Sequence, residues 1–336
     1  MTQTKKLSYT LYPLLTNKIV SGLRQHLPGK ERRSSSDATV LSDFIRRQPD
    51  IQNDHAFYIM AEELFLQSHN SQVIFPESSL VLDNLLKARY SLSSSEGLDM
   101  PFPSFILAPP RGYAFKGIEI PSLLVSWVIG DGFKDEVLRP FLDYIKVPGD
   151  RVSFSELPQD GILSLIYRDK TGECSRTVIY GQNIPVLLGA KNPQAYREAM
   201  VSQGLILAQE DLSESDSDIQ FYSLKLIAAL GVYHVATQGN KLKQGFPTPQ
   251  APRMEGRRAE QKVAPVTLVN STPPLANSES VRHDAGRTAH YRAWHFRQLR
   301  DERYYRGEYA HHAPGTRYIF VESALVGVDA APNTQS

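Results

Sequence analysis

The chain has 336 residues and one cysteine, Cys174. A lone thiol excludes an internal disulfide and fits a reducing compartment. It follows the turn-like Lys170-Thr171-Gly172, and the sequence assigns it no neighbouring base, so it does not read as a nucleophile. Long apolar runs are also missing. The most apolar stretch, Leu224 to Ala236, contains Lys225 and His234 and is shorter than a bilayer span requires. Near the start, Leu7 to Leu15 is broken by Ser8, Thr10 and Pro13 without a small-residue cleavage pattern, so no export is expected and the protein is placed in the cytoplasm. No P-loop, GxGxxG, HExxH, GxSxG or CxxC occurs, and the carboxylates form no DxD-type metal cluster in a β context, so neither an enzyme nor a cofactor is expected.

What is present is enough for a core. Hydrophobic residues make up 41%, and this length fits one large domain or two smaller ones. Helical spacing runs from Leu14 to Leu27 and stops at Pro28-Gly29; Asp37 and Asp54 are candidate caps of two further helices, and Leu80 to Leu92 is another candidate. From Pro101 onward, Phe105 to Leu107, Tyr113 to Ile120 and Leu123 to Ile129 read as short antiparallel strands. Ile162 to Arg168 and Ser175 to Tyr180 flank Asp169 to Gly172 as a hairpin, and Gly130-Asp131-Gly132 reads as a turn. Helices resume at Pro193 to Ser202 and, after an acidic loop from Glu210 to Asp218, at Ile219 to Ala236; the last is apolar on most faces and is expected in the core. The expected class is therefore α+β: a helical N-terminal third, central antiparallel strands, a buried long helix and a small C-terminal β-containing basic module. The expected divisions are a body over 1–240, a Pro-rich basic linker or strap over 241–281, the module over 282–327 and a tail over 328–336.

The module is compositionally distinct. From Arg282 to Arg317 there are eight arginines and no lysine, and five of the nine histidines fall between His283 and His312. The formal charge there is +4, against −1 for residues 1–281. Guanidinium groups bind carboxylate and phosphate bidentately and stack on aromatic faces, which ammonium groups do less well. Extended, the octapeptide from His290 to Arg297 places His290, Arg292, Trp294 and Phe296 on one side, so neither side is purely apolar. Arg297, Arg300, Arg303 and Arg306 recur every third residue, consistent with a short helix or irregular turn ending at Gly307, and Arg317 to Val321 reads as a strand. One reading is a contact surface for an anionic partner, built from His290, Arg292, Trp294, His295, Arg297, Arg300, Arg303, Tyr304, Tyr305 and Arg306. The other is a small subdomain whose arginines pair with Asp301, Glu302 and Glu308 and whose aromatics are packed. A metal is not expected, since no cysteine lies nearby and the histidine spacing matches no common ligand pattern.

The order of these features carries a resemblance. Leu85-Leu86-Lys87-Ala88-Arg89 leads to Pro101-Phe102-Pro103-Ser104-Phe105, then Leu123-Leu124-Val125-Ser126-Trp127, then Tyr167-Arg168-Asp169. The long apolar helix, the Pro-rich strap and the ending HYRAWHFRQLRDERYYRGEY with PGTRYIFVESALVG follow. This resembles the phage and plasmid protein family that includes the second type V-A anti-CRISPR inhibitor, most distinctively over about His290 to Gly327. The resemblance implies suppression of a CRISPR effector nuclease in the host cytoplasm, during the effector's biosynthesis, through recognition of its nascent chain and loss of its message. The implied partners are the effector or its nascent chain, with RNA or the ribosome, and no membrane. The alternatives are an RNA-binding regulator or ribonuclease unrelated to CRISPR, using the same arginines and aromatics on single-stranded RNA, and a phage structural or assembly protein.

Overall fold

A seven-stranded mixed sheet with helices on both faces organises the computed structural model. The model describes residues 8–47, 55–88, 90, 98–146, 161–168, 173–202, 214–247, 253–255, 263–270, 290–292, 295–311, 314, 317–321 and 324–326. The class is α+β, as the sequence implies.

The chain enters through strand β1 (Ser8–Thr10) and then helices α1 (Leu15–Gln25), α2 (Gly29–Ser34), α3 (Asp37–Arg47) and α4 (His55–Ser68). Ser36, not Asp37, caps α3: its Oγ accepts the Thr39 N–H at 3.1 Å, and Asp37 is already in the first turn. Asp54 lies outside the described residues. Strand β2 (Gln72–Pro76) interrupts the N-terminal third, which is therefore not wholly helical, and α5 (Ser79–Lys87) follows. Next come β3 (Ser104–Leu107), the hairpin of β4 (Ala114–Phe115) and β5 (Ile118–Glu119), and β6 (Leu123–Val128). The Gly130-Asp131-Gly132 turn leads through a wide helical turn, Phe133–Leu138, to α6 (Arg139–Tyr144). Strands β7 (Ile162–Arg168) and β8 (Cys174–Tyr180) pair as the expected hairpin. Helices α7 (Ile184–Gly189), α8 (Pro193–Ser202) and α9 (Glu214–Ala236) follow. Helix α9 starts five residues earlier than its apolar spacing indicates. The remaining strands are β9 (Leu242–Gln244), β10 (Arg253–Glu255), β11 (Ala264–Leu268), β12 (His290–Arg292), β13 (His295–Leu299), β14 (Arg317–Val321) and β15 (Ala324–Val326).

The main sheet has the order β8-β7-β6-β3-β2-β11-β9. The expected antiparallel strands form one half, β8 through β3, while β3, β2 and β11 run parallel. The stretch 241–281 therefore departs from a linker: it supplies β9 and β11 to the sheet, and β10 pairs with β1. Proline does not prevent this, because the structure compensates for it locally. Pro265 has no N–H for the Gly245 carbonyl, and Thr267 Oγ1 donates to that oxygen at 2.8 Å instead, while the Gly245 N–H still bonds to Pro265 O.

Both faces of the sheet are covered. Ile74, Phe105, Leu107, Val125, Trp127, Leu163 and Leu165 join the core cluster that includes α5, α7 and α9; Val73, Phe75, Ile106, Leu124 and Ile166 join the one holding Tyr9, Tyr12, Ile59 and Leu66. This strict period of two explains why the central strands read as continuous apolar runs: each residue is buried on one side or the other. Three serines break the run on the α4 face. Ser104, Ser126 and Ser164 are successive cross-strand partners, all fully buried. Helix α9 has Gly231 where a Cβ would come within 2.8 Å of the Leu98 side chain, so any larger residue there would make the ends of Leu98 and Met100 shift. The apolar stretch of α9, long enough by length and composition alone to cross a membrane, is mostly buried, as in the core helix of a soluble protein.

Two fully buried carboxylates anchor α4. Glu63 accepts from Tyr12 Oη (2.8 Å), Thr16 Oγ1 (2.6 Å) and the N–H groups of Leu15 (2.6 Å) and Thr16 (2.8 Å), so it satisfies the orphan donors at the start of α1 from another helix. Burial pushes its carboxyl upward and the four donors pull it back. Glu62 accepts from Ser164 Oγ (2.9 Å) and Arg176 Nε (2.7 Å). The Arg176 guanidinium also lies 5.1 Å from the Tyr58 ring and 5.4 Å from that of Phe133.

Candidate functional site

Among its described residues, the C-terminal module forms two antiparallel ribbons. β12 pairs with β15, placing His290 opposite Val326 and Arg292 opposite Ala324; β13 pairs with β14, placing His295 opposite Val321 and Arg297 opposite Ile319. The octapeptide from His290 to Arg297 is therefore divided between two ribbons instead of forming one strand, and Trp294 lies outside the described residues. After β13 the chain makes two 3₁₀ turns, Glu302–Tyr304 and Gly307–Tyr309, in place of a regular helix. Gly307 has φ +64°, which suits the reversal between them.

Burial sorts the predicted residues into two groups. Arg297, Arg300, Arg303 and Arg306 are exposed. Tyr304 is half-buried, and the Arg303 guanidinium stacks 4.7 Å from its ring centre and donates to its hydroxyl at 2.7 Å. Arg303 also faces the Asp301 carboxylate at 3.5 Å, so part of the pairing foreseen by the structural reading is present, although both side chains are more than half exposed and such pairs contribute little. Tyr305 is a correction. It is 8% exposed and its hydroxyl donates to Leu299 O at 2.5 Å, so it belongs with buried Leu299 to the interior of the module and not to a contact surface. A tyrosine six residues beyond Leu299 can return to it because the first 3₁₀ turn folds the chain back. The module meets the body through Phe320, whose ring stands edge-on to Tyr233 of α9 at 5.2 Å. The strand's period of two puts Phe320 on the opposite face from Arg297 and Ile319, both exposed. One face thus docks and the other is presented.

The thiol plays no part in this site. Cys174 pairs with Arg168 across β7 and β8, and burial pushes its thiol up against the opposing pull of the Arg168 guanidinium, which keeps it protonated at neutral pH. Among the described residues, no three His, Cys, Asp or Glu side chains converge as metal ligands.

A second cationic cluster went unread in the sequence. Lys87 at the end of α5, Lys116 in the β4–β5 turn, Lys191 before α8 and Lys225 in α9 line one pocket of about 580 Å³. They are far apart in the chain and share no motif. The available signals were local: Lys225 is the only cation in an apolar helical run, and Lys116 precedes Gly117 in a two-residue turn.

No family model, curated protein or solved structure matches the chain.

Proposed function

We propose that this chain is an anti-CRISPR-like binding protein of a mobile genetic element, which suppresses a CRISPR effector nuclease during its biosynthesis. The C-terminal module is the contact element, and Arg297, Arg300, Arg303 and Arg306 meet an anionic partner, either the nascent effector chain or RNA at the ribosome. The supporting observation is the division within the module: its own Leu299 and Tyr305 fill its interior, Phe320 fixes it to the body, and the four arginines are left exposed. Arginine's fork of donors suits bidentate recognition of carboxylate or phosphate. The resemblance over His290 to Gly327 supports a CRISPR effector as the class of target.

The experiment is affinity capture of the tagged full chain from cells translating a type V-A effector, with captured protein and RNA both identified and effector mRNA quantified. Enrichment of the effector's nascent chain or message, with loss of that message, supports the reading. A second reading, a single-stranded RNA regulator unrelated to CRISPR, is favoured by the Arg303–Tyr304 stack, since a guanidinium on an aromatic ring is a platform for unstacked bases. Capture of diverse RNAs, unaffected by the presence of an effector, would establish this reading in place of the first.

A further inference from the structure

The lysine pocket lies between α5, the β4–β5 hairpin and α7 to α9, away from the arginine face in both residues and chemistry. Its volume of about 580 Å³ falls within the roughly 300–1,000 Å³ typical of small-molecule sites. Lys225 forms its deepest cation. It is 8% exposed, its Nζ donates to Ala190 O just beyond α7, and the ammonium stands 5.5 Å from the Phe221 ring centre. Lys116 holds its ammonium 5.8 Å from the Phe115 ring centre and 5.9 Å from that of Tyr222, two rings that line the pocket.

Charge in the pocket is one-sided. Its described lining contains four lysines and no acid. Of these lysines Lys87 has a counter-ion, Asp83 at 3.0 Å, which also accepts from Tyr113 Oη at 3.0 Å; Asp218 acts on Tyr222 one turn along α9. Burial, and then the neighbouring charge of Lys116, push Lys225 below its ordinary value, as expected for an ammonium taken from water beside another.

The backbone at Lys116 is a separate observation. Lys116 and Gly117 have φ of +51° and +83° and form the two-residue loop between β4 and β5. Both loop positions of such a turn require positive φ, and asparagine, aspartate or glycine is the favoured first residue. Lysine in that position is strained, and backbone strain held in place by its surroundings gathers at functional sites. Here the strained residue is the one that brings its ammonium over the aromatic wall.

We propose that this pocket binds a nucleoside phosphate, with Lys116, Lys191 and Lys225 holding the phosphates and the base lying against the aromatic wall of Tyr90, Phe115 and Tyr222. Several ammonium groups call for more than one negative charge, which a polyphosphate supplies, and lysine serves phosphate as a point charge with three donors. The apolar and aromatic lining suits a flat ring. This ligand would be bound independently of the partner met by the arginine face.

The test is calorimetric titration of the full chain with ATP, and with tripolyphosphate and adenosine as comparators. The expected result is saturable binding of ATP, tighter than tripolyphosphate and adenosine by about tenfold or more, and weakened by about tenfold or more in Lys116→Asn and in Lys191→Gln. Lys116→Asn should leave thermal unfolding unchanged or raise it, since asparagine suits that turn, so weaker binding cannot be attributed to misfolding. A variant with Arg297, Arg300, Arg303 and Arg306 all changed to Gln should bind ATP as the parent does. The proposal is overturned by absence of saturable ATP binding, by equal affinity for ATP and tripolyphosphate, by lysine variants that bind normally, or by loss of ATP binding in the arginine variant.

Discussion

Lysines 87, 116, 191 and 225 line a walled pocket in the body, whereas arginines 297, 300, 303 and 306 stand exposed on the C-terminal module. The two sets carry the same sign of charge in opposite surroundings. Lysine's compact ammonium can be partly desolvated, supported by a carbonyl as Lys225 is by Ala190, and its titration shifts in response. Arginine keeps its charge and its planar fork, so an exposed arginine is a ready surface for a carboxylate or phosphate. Arg176 is the informative intermediate: an arginine taken inside, where it needs Glu62, Tyr58 and Phe133 around it. Where a cation is held, more than its charge, determines whether it supports the fold or is left for a partner.

The largest expected effect follows from breaking the interior pair. Arg176→Ala strands the fully buried Glu62 carboxylate and should lower stability by about 3–5 kcal/mol, measured by urea unfolding. The same change at Arg297 should leave the urea midpoint where it was. Equal midpoints for the two variants would erase the distinction between interior and surface arginines. Glu63→Gln should cost about 1–3 kcal/mol, because an amide cannot accept all four donors that converge there. Its loss should appear as faster hydrogen exchange at the start of α1. Within the module, Tyr305→Phe removes one hydroxyl bond and should cost about 0.5–1.5 kcal/mol. Exchange protection should fall around Leu299 and stay unchanged in the central strands; loss of protection throughout the main sheet would mean that the module and the body unfold as one unit.

The smallest effect is in the pH dependence of α9. Burial, opposed by Asp99, holds His234 below its ordinary value of 6.5. The unfolded chain therefore takes up this proton before the folded one does, so its contribution to stability is present above pH 6.5 and is lost as pH falls through the lower folded value. His234→Gln should flatten the decline in Tm on the acid side of neutrality. An unchanged slope would assign that decline to other groups.

Much of the fold is legible in the sequence where local pattern and tertiary role agree. Helix α8 occupies the span its spacing predicts, the β7–β8 hairpin is written in two β-rich runs around a turn, and the apolar α9 is buried. The failures have specific causes. Strand β2 is five residues set among helices, and its pairing partners lie far along the chain. Strands β9 and β11 were hidden in a Pro-rich stretch because the bond that replaces the missing Pro265 donor comes from a threonine hydroxyl, which no periodicity reveals. Of the predicted contact residues, Arg297, Arg300, Arg303 and Arg306 are exposed, but Tyr305 is buried, and an aromatic in a basic segment looks the same in sequence whether it stacks on a partner or fills its own module. The lysine pocket was invisible for the opposite reason: its members meet only after α5, the β4–β5 hairpin and α9 are assembled.

On the proposed function, the exposed arginines serve a partner and not the fold. Arg297, Arg300, Arg303 and Arg306 changed together to Gln, in the full chain, test this most directly when partner capture from effector-translating cells and thermal unfolding are measured on the same preparation. The predicted result is an unchanged Tm with capture abolished, since exposed charges contribute little to stability while arginine at an interface often dominates binding. A variant that captures its partner normally but unfolds at a much lower temperature would contradict the claim and make the basic module structural.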